Sequence, residues 1–438
     1  MPSCVSTSVC KHPVHLLIKP AGPDCNLRCK YCFYLEKHAL FADQNIHRMS
    51  DETLETYTRN YINSQPQKDV EFAWQGGEPT LMGLDFFKRA VALQKKYANG
   101  HTVFNSLQTN GTLLDDDWCE FLARENFLIG LSIDGPEDIH NRYRIYADEH
   151  GSFAKVENAA RLMRKHGVEF NSLTCVTRES AYEGRRIYRY LRDHGFKFMQ
   201  FIPIIERMPN ERAQKLGLKL SSPPRLSGEP ESPPVMPFTV EPLQYGNFLI
   251  DVFKEWIKRD VGKIFVNHFD VALSAWCGMN PGLCSYSKIC GSAMAVEHDG
   301  TIYACDHFVY PEYARGNACT DDLAEILCSP KQQAFGMSKA VALPDCCKNC
   351  GFLHACNGGC LKHRFTTAPD GSPGLNYLCP GFKTFFSFVE PYMKQMATLL
   401  SMERPASDIM SILPKKNAPA KSSNKNKRKK NNKNKRRK

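Results

Sequence analysis

The chain has 438 residues, of which 42% are hydrophobic and 24% are charged. These values are typical of a folded protein with two or three domains, and they exclude a mostly disordered or fibrous chain. No stretch approaches 18 uninterrupted apolar residues, which argues against a membrane span. Residues 1–20 lack the apolar core of a secretory signal, so we expect a cytoplasmic protein.

The net charge of +11 is concentrated at the C-terminal end. Residues 415–438 contain ten Lys, three Arg and no acidic residue, which contribute +13 and leave −2 for the rest of the chain. This composition predicts a disordered basic tail on a nearly neutral body. Because the body lacks interleaved basic and aromatic residues, we expect nucleic acid to bind only non-specifically, through the tail.

The first half of the chain alternates strand-like and helix-like segments. Short apolar runs predict six strands, at 14–18, 70–74, 103–107, 128–133, 168–176 and 197–202. Apolar residues at three- and four-residue intervals predict five helices, at 51–63, 84–97, 115–124, 153–166 and 181–194. This alternation favours an α/β fold with a parallel sheet, as an open or partial barrel.

The second half has a different character. Residues 209–242 contain eight prolines and predict an irregular insert or linker. A helix is predicted at 245–259, a cysteine-rich and loop-rich region at 277–379, and a last helix at 382–402. Weak periodicity with many cysteines is typical of a small domain that is held together by metal.

The chain has 19 cysteines, and several are closely spaced. Cys25, Cys29 and Cys32 form C-x3-C-x2-C directly after the first predicted strand. Three thiolates on one short loop can bind three irons of a [4Fe–4S] cluster and leave the fourth iron open, as a reactive site requires. A zinc knuckle is the alternative, and the spacing favours the iron–sulfur site.

A second group of cysteines lies near the C-terminal end. Cys347, Cys350, Cys356 and Cys360 are followed by Cys379, and Cys284, Cys290 and Cys305 precede them. The spacing alone is compatible with two structural zinc sites as well as with iron–sulfur clusters.

With two further features, the first motif resembles the radical S-adenosylmethionine (SAM) superfamily. Tyr31 precedes the third cysteine, and the string Gln75-Gly76-Gly77-Glu78-Pro79 follows the second predicted strand. In that superfamily the GGE motif lies against the amino group of SAM. Glycines permit close backbone approach, and Glu78 supplies a negative charge for an ammonium group.

The C-terminal cysteines resemble the SPASM domain, which carries two auxiliary [4Fe–4S] clusters in radical SAM enzymes that modify peptides. The resemblance assigns Cys284, Cys290, Cys305 and Cys360 to the first auxiliary cluster. It assigns Cys347, Cys350, Cys356 and Cys379 to the second. The fold class that it implies is a partial (β/α)6 radical SAM barrel followed by a cysteine-rich SPASM domain, with three [4Fe–4S] clusters in all.

Longer strings make the whole region 14–402 similar to the anaerobic sulfatase-maturating enzymes, apart from the proline-rich insert. These strings lie at 17–20, 32–34, 106–112, 200–203, 296–300 and 303–307. The resemblance implies oxygen-independent oxidation of one Cys or Ser in a C/S-x-P-x-R motif of a sulfatase to Cα-formylglycine by a 5′-deoxyadenosyl radical. Another SPASM peptide modification, such as thioether cross-linking, is the alternative.

The resemblance also implies roles for single residues. Asp306, next to Cys305, would be the general base, with His307 as a second titratable candidate. The expected SAM contacts are Tyr31, Gly77, Glu78, Ser132, Arg144 and Ile205. The expected partners are an unfolded or nascent sulfatase polypeptide and an electron donor such as flavodoxin or ferredoxin, with no membrane.

Four segments follow from these assignments. They are a radical SAM core at 1–205, a proline-rich insert at 206–243, an auxiliary-cluster domain at 244–402 and a basic disordered tail at 403–438.

Overall fold

A computed structural model describes residues 12–41, 46–224 and 233–413. Its main feature is one ten-stranded sheet with the order β10-β9-β8-β1-β2-β3-β4-β5-β6-β7. The strands of this sheet are β1 (His15–Ile18), β2 (Asp69–Trp74), β3 (Thr102–Thr109), β4 (Leu128–Ser132), β5 (Glu169–Val176), β6 (Phe198–Pro203), β7 (Phe265–Val266), β8 (Ala293–Val296), β9 (Thr301–Tyr303) and β10 (Ala314–Asn317). A separate antiparallel pair joins β11 (Thr366–Thr367) to β12 (Pro373–Leu375).

Helices connect and cover the strands. The α-helices are α1 (Asp51–Asn63), α2 (Leu84–Tyr97), α3 (Asp116–Arg124), α4 (Glu137–His140), α5 (Phe153–His166), α6 (Gly184–Asp193), α7 (Glu211–Lys215), α8 (Pro242–Trp256), α9 (Asn267–Trp276), α10 (Leu323–Cys328), α11 (Pro330–Val341), α12 (Asp345–Lys348), α13 (Leu353–Cys356), α14 (Cys379–Ser401) and α15 (Ile409–Ile412). Short 3₁₀ helices lie at Leu35–Leu40, Pro79–Met82, Ser180–Glu183, Asp306–Phe308, Pro311–Tyr313, Leu361–His363 and Ala406–Asp408.

Strands β1 to β7 pair in parallel and in chain order. Alternate residues of each strand face the helices and are buried, as in β2, where Val70, Phe72 and Trp74 are each at most 1% exposed. The opposite residues face the inside of the curved sheet. The predicted parallel α/β barrel with six strands is therefore confirmed, and β7 adds a short seventh strand at its edge.

The C-terminal half is built onto this barrel. Strand β8 pairs in parallel with β1, and β9 and β10 continue the sheet in antiparallel orientation. Helices α8 and α14 pack so closely that a Cβ atom on Gly246 would lie 2.4 Å from the carbonyl oxygen of Gly381. The region 277–379 that sequence analysis describes as loop-rich thus contains strands β8, β9 and β10 of the main sheet and the helices α10 and α11.

Two segments differ from the prediction. The proline-rich insert contains α7 and a bridge between Arg207 and Val235, and the amide of Lys219 donates to Glu36 in the N-terminal half at 2.7 Å, so its described part is ordered. The predicted disordered tail begins too early at 403, because residues 403–413 form helical turns that bury Ile409 completely. Residues 414–438 lie outside the described residues.

In the part of the chain that the structure describes, no helix combines the length and the apolar character needed to cross a membrane.

Candidate active site

A cavity of about 470 Å³ opens at the carboxyl ends of the parallel strands. One wall carries Cys25, Cys29 and Cys32, on the loop after β1. Another part of the lining belongs to the C-terminal half and carries four cysteines, Cys284, Cys290, Cys305 and Cys360. Seven cysteines that the sequence analysis singles out therefore face one space, where parallel α/β sheets commonly bind ligands.

The loop of the first three cysteines is held by the turn after β2. The amide of Gly77 donates to the carbonyl of Gly22 at 2.8 Å, and that of Glu78 donates to the carbonyl of Asp24 at 2.8 Å. A Cβ atom on Gly77 would lie only 2.0 Å from the Asp24 oxygen. Glycine is required at position 77 because the two backbones touch here, one residue before Cys25.

Glu78 is fully buried and its carboxylate is saturated. One oxygen accepts from the amide and hydroxyl of Thr80 and from the hydroxyl of Thr109, at 3.1, 2.6 and 2.7 Å. The other accepts from the amide of Asn110 at 2.7 Å. A carboxylate has about four acceptor positions, so these four contacts hold Glu78 and the turn that it organises in place.

The thiols of the first motif are protected from solvent. Burial raises the pKa of Cys25 to about 12, and it raises the pKa of Cys29 and Cys32 as well. Such thiols are poor nucleophiles at neutral pH, but they ionise when a metal takes the place of the proton.

The spacing of the cysteines discriminates between iron–sulfur clusters and zinc. Among the described residues, only Asp24, His38 and His47 form a group of three or more metal-binding side chains whose ligand atoms all lie within 4.8 Å of one another. Zinc, bound at about 2.3 Å in a tetrahedron, places its sulfur ligands about 3.8 Å apart. No three of the described cysteines have all their sulfur atoms within 4.8 Å of one another. This arrangement fits a cluster that binds each cysteine through a different iron.

A second, smaller cavity lies between α12, α13 and the start of α14. It is lined by Cys347, Cys350, Cys356 and Cys379, and by Cys346 as a fifth cysteine. Burial raises the pKa of Cys347 to about 12 and of Cys356 to about 11. The structure thus brings Cys379 to the other three and leaves Cys360 on the first cavity, as the predicted interleaving requires.

The predicted SAM contacts line the central cavity. Tyr31, Gly77, Glu78, Ser132, Arg144 and Ile205 all border it. Tyr31 donates to Asp134 at 2.6 Å, and the Arg144 guanidinium lies 3.0 Å from the same carboxylate. Sequence analysis did not single out Asp134, which fixes both side chains from the end of β4. Its signal in the sequence was its position directly after the predicted strand at 128–133.

Asp306 projects from the C-terminal wall into the same cavity. Its carboxylate lies 2.5 Å from the ammonium of Lys19, which is 1% exposed and also lies over the ring of Tyr34. Burial alone would raise the pKa of Asp306, but the charge of Lys19 holds it below the ordinary value for aspartate. The carboxylate is therefore ionised at neutral pH, as a general base must be.

His307 is placed differently. Its ring packs against Phe33, and Nδ1 lies 3.5 Å from the sulfur of Cys360. Burial lowers its pKa to about 4, so the imidazole is neutral at physiological pH. These contacts favour a structural role beside the cysteines.

Sequence analysis missed Lys19 as the partner of Asp306, although Lys19 lies in the string 17–20.

Comparisons with known proteins agree with this geometry. The family model of the radical SAM superfamily matches residues 20–191, and that of an iron–sulfur cluster-binding domain, SPASM, matches residues 284–351. The chain is 44% identical to the serine-type anaerobic sulfatase-maturating enzyme of Bacteroides thetaiotaomicron, over 92% of this chain and 95% of that protein. It is 34% identical to the cysteine-type enzyme of Clostridium perfringens, over 88% of this chain and 98% of the other.

Solved structures give the same result. Native anSMEcpe with bound AdoMet and the Cp18Cys peptide matches with a TM-score of 0.76 and 33% identity, over 89% of this chain and 100% of that chain. Native anSMEcpe with bound AdoMet matches with a TM-score of 0.76 and 34% identity, over 89% and 100%. The predicted family is confirmed: this chain belongs to the anaerobic sulfatase-maturating enzymes of the radical SAM superfamily.

Proposed function

We propose that this enzyme oxidises one Cys or Ser in a C/S-x-P-x-R motif of a sulfatase to Cα-formylglycine, without oxygen. The observation that carries the proposal is one cavity that is lined by both halves of the chain. The N-terminal half contributes the three-cysteine loop and the GGE turn, and the C-terminal half contributes the ionised Asp306. A side chain bound in this cavity can lose a hydrogen atom near the first group and a proton to the second.

We assign the cluster that binds SAM to Cys25, Cys29 and Cys32, within a radical SAM core at 1–205. The first auxiliary cluster is assigned to Cys284, Cys290, Cys305 and Cys360, and the second to Cys347, Cys350, Cys356 and Cys379, within 244–402. The chemistry that SAM and its cluster supply when bound is a one-electron cleavage that yields a 5′-deoxyadenosyl radical, able to take a hydrogen atom from Cβ of the target.

The residues of this chain orient the cofactor and move the proton. Gly77 lets the GGE turn approach the amino end of SAM, and Glu78 adds negative charge there. The central cavity is also lined by Tyr31, Ser132 and Ile205. Arg144 offers its guanidinium donors to a carboxylate. Asp306 takes the proton from the thiol or hydroxyl of the target while Lys19 stabilises its charge.

We further propose that the substrate is an unfolded or nascent sulfatase polypeptide in the cytoplasm, and that flavodoxin or ferredoxin supplies electrons. The basic residues of 415–438 add at most a non-specific attraction to nucleic acid or another polyanion.

Mass spectrometry of matched peptides tests the activity. The reconstituted enzyme is incubated with SAM, dithionite and peptides that contain C-x-P-x-R or S-x-P-x-R. We expect both peptides to lose two hydrogens, and the cysteine peptide in addition to exchange its sulfur for oxygen by hydrolysis of the thioaldehyde, so that both carry an aldehyde that reacts with hydrazides. A cross-linked peptide that does not react with hydrazides would instead indicate a thioether-forming enzyme.

A matched variant tests the cluster assignment. Replacement of Cys25, Cys29 and Cys32 by Ala is expected to remove about four of about twelve irons per chain and to abolish SAM cleavage. Replacement of Cys119, which is buried in the core away from the cavity, serves as the control. Retained SAM cleavage in the triple variant would overturn the assignment.

A further inference from the structure

The smaller cavity is lined by five cysteines, one more than a four-iron cluster binds. Each iron of a [4Fe–4S] cluster takes one cysteine thiolate, so four cysteines saturate the cluster and a fifth is left over. In the proposed assignment the fifth is Cys346, which directly precedes the ligand Cys347 in the sequence. Cys346 therefore faces the same space as the four ligands without an iron of its own.

Cys346 and Cys347 are placed alike with respect to Cys350. Both lie on the one-turn helix α12, and Cys350 follows Cys346 by four residues and Cys347 by three. Residues three and four apart are neighbours on a helical surface. The amide of Cys350 donates to the carbonyl of Cys347 at 3.1 Å, so the chain still turns as a helix at this point. Each of the two thiols therefore lies on the side of α12 that faces Cys350.

The thiol of Cys346 lies close to two of the four proposed ligands. Burial raises the pKa of Cys347, and the neighbouring Cys346 thiol raises it further. The same thiol adds to the effect of burial on the pKa of Cys379. Cys346 and Cys347 are both half-buried, and α12 has no buried residue. One thiol can thus replace the other by rotation of two side chains, without repacking of the core.

We propose that Cys346 and Cys347 are interchangeable ligands of one iron in the second auxiliary cluster. The inference rests on the cluster assignment in the proposed function and is independent of the substrate. In the exchange one iron–sulfur bond breaks and another forms. The proton of the incoming thiol passes to the outgoing sulfur, so no electron is gained or lost. The site thereby keeps four cysteine ligands when an oxidant or an electrophile modifies one thiol of the pair.

Differential alkylation of the holoenzyme tests the proposal. The protein is treated with iodoacetamide without oxygen, the clusters are removed, and mass spectrometry locates the labels. We expect the wild type to carry about one label on the pair, because an iron-bound thiolate is protected and the other thiol is free. In Cys347→Ala the remaining Cys346 holds the iron, so its labelling should fall about tenfold. In Cys346→Ala we expect Cys347 to be protected to the same degree.

Iron content shows whether the cluster keeps all its ligands. Both single variants should hold about twelve irons per chain. After mild oxidation with SAM bound, they should show no more of the [3Fe–4S] signal in electron paramagnetic resonance than the wild type does. Cys356→Ala is the matched control, because no cysteine adjoins Cys356 in the sequence, and it should lose iron and show this signal. The double variant Cys346→Ala/Cys347→Ala should behave like the control.

Unchanged labelling of Cys346 in Cys347→Ala would overturn the proposal, and so would iron loss in that variant equal to the loss in Cys356→Ala. If Cys347→Ala does not fold, Cys347→Ser, which nearly keeps the size of the side chain, decides the labelling test in the same way. About eight irons in the wild type would instead refute the assignment of the second auxiliary cluster. Failure of the wild type to form aldehyde on the peptides would refute the proposed function.

Discussion

Asp306 keeps its charge inside the protein because a second buried charge faces it. Lys19 lies at the end of β1, which belongs to the barrel, whereas Asp306 lies after β9. The parallel pairing of β1 with β8 brings these two regions together. Ion pairs between buried groups require such precise placement, because either charge alone would pay a large desolvation cost.

Replacement of Asp306 by Asn is expected to separate the two halves of the reaction. Asparagine has nearly the same shape but little proton affinity, so SAM cleavage should continue while aldehyde formation falls about 10²–10⁴-fold. Parallel assays of 5′-deoxyadenosine and of the peptide aldehyde measure the two steps. The matched control is Asp299→Asn, because Asp299 is an exposed turn residue whose side chain accepts from the amide of Thr301. A normal aldehyde yield in Asp306→Asn would assign the proton to another acceptor.

Gly77→Ala tests the contact between the GGE turn and the cysteine loop. The added methyl group would meet the Asp24 carbonyl at 2.0 Å, so the loop that carries Cys25 has to move. We expect holoenzyme preparations to hold closer to about eight than to about twelve irons per chain and to lose SAM binding. Gly282→Ala is the control, because nothing lies within 4 Å of the Cβ position there. Full iron content in Gly77→Ala would show that the contact is not required.

At the scale of secondary-structure elements, the sequence predicts the features that depend on residues close together in the chain. The alternation of β2, with Val70, Phe72 and Trp74 buried, is a local pattern, and the parallel strands and their helices were predicted on such patterns. The pairing of β1 with β8 joins residues that are far apart in the sequence, such as His15 and Ala293, and leaves no local signal. For the same reason the partners of Asp306 and Arg144, Lys19 and Asp134, could not be predicted.

Helix α9 illustrates how burial makes stability depend on pH. Burial lowers the pKa of His268, near the start of this helix, to about 4, from an ordinary value of 6.5. Because the folded state binds the proton less readily than the unfolded state, the contribution of His268 is complete above about pH 6.5. It is lost progressively as the pH falls toward about 4.

His268→Gln is therefore expected to make unfolding less sensitive to pH. Between about pH 7.5 and pH 5.5 the wild type should lose about 1 kcal/mol of unfolding free energy through this residue, and the variant should not. Urea titrations of the holoenzyme at both pH values measure the difference. His150→Gln, at an exposed position, is the control and should keep the wild-type dependence. If the wild type and His268→Gln lost the same unfolding free energy over this pH range, His268 would have to be protonated as readily in the folded state as in the unfolded state.

The whole molecule joins two cysteine systems around one cavity. The separation of Cys360 from Cys350 and Cys356 could not be read from spacing, because the order along the chain suggests that they belong together. The resemblance to SPASM domains predicted the separation, and the structure places Cys360 on the central cavity and Cys379 on the smaller one. The distribution of these cysteines between the two cavities was thus predictable only through the resemblance to a family.

The basic segment 415–438 is expected to be dispensable for catalysis. Its thirteen positive charges cannot be buried together without acidic partners, and it contains none. Truncation after Pro414 should preserve the iron content and the rate on a short peptide, while retention on a heparin column at low salt should disappear, because each neutralised charge contributes through counterion release. A full-length variant with Gln at all thirteen Lys and Arg positions separates charge from length and should behave like the truncation. If the truncation lowered the peptide rate tenfold, about 1.4 kcal/mol of barrier, the segment would belong to the active enzyme.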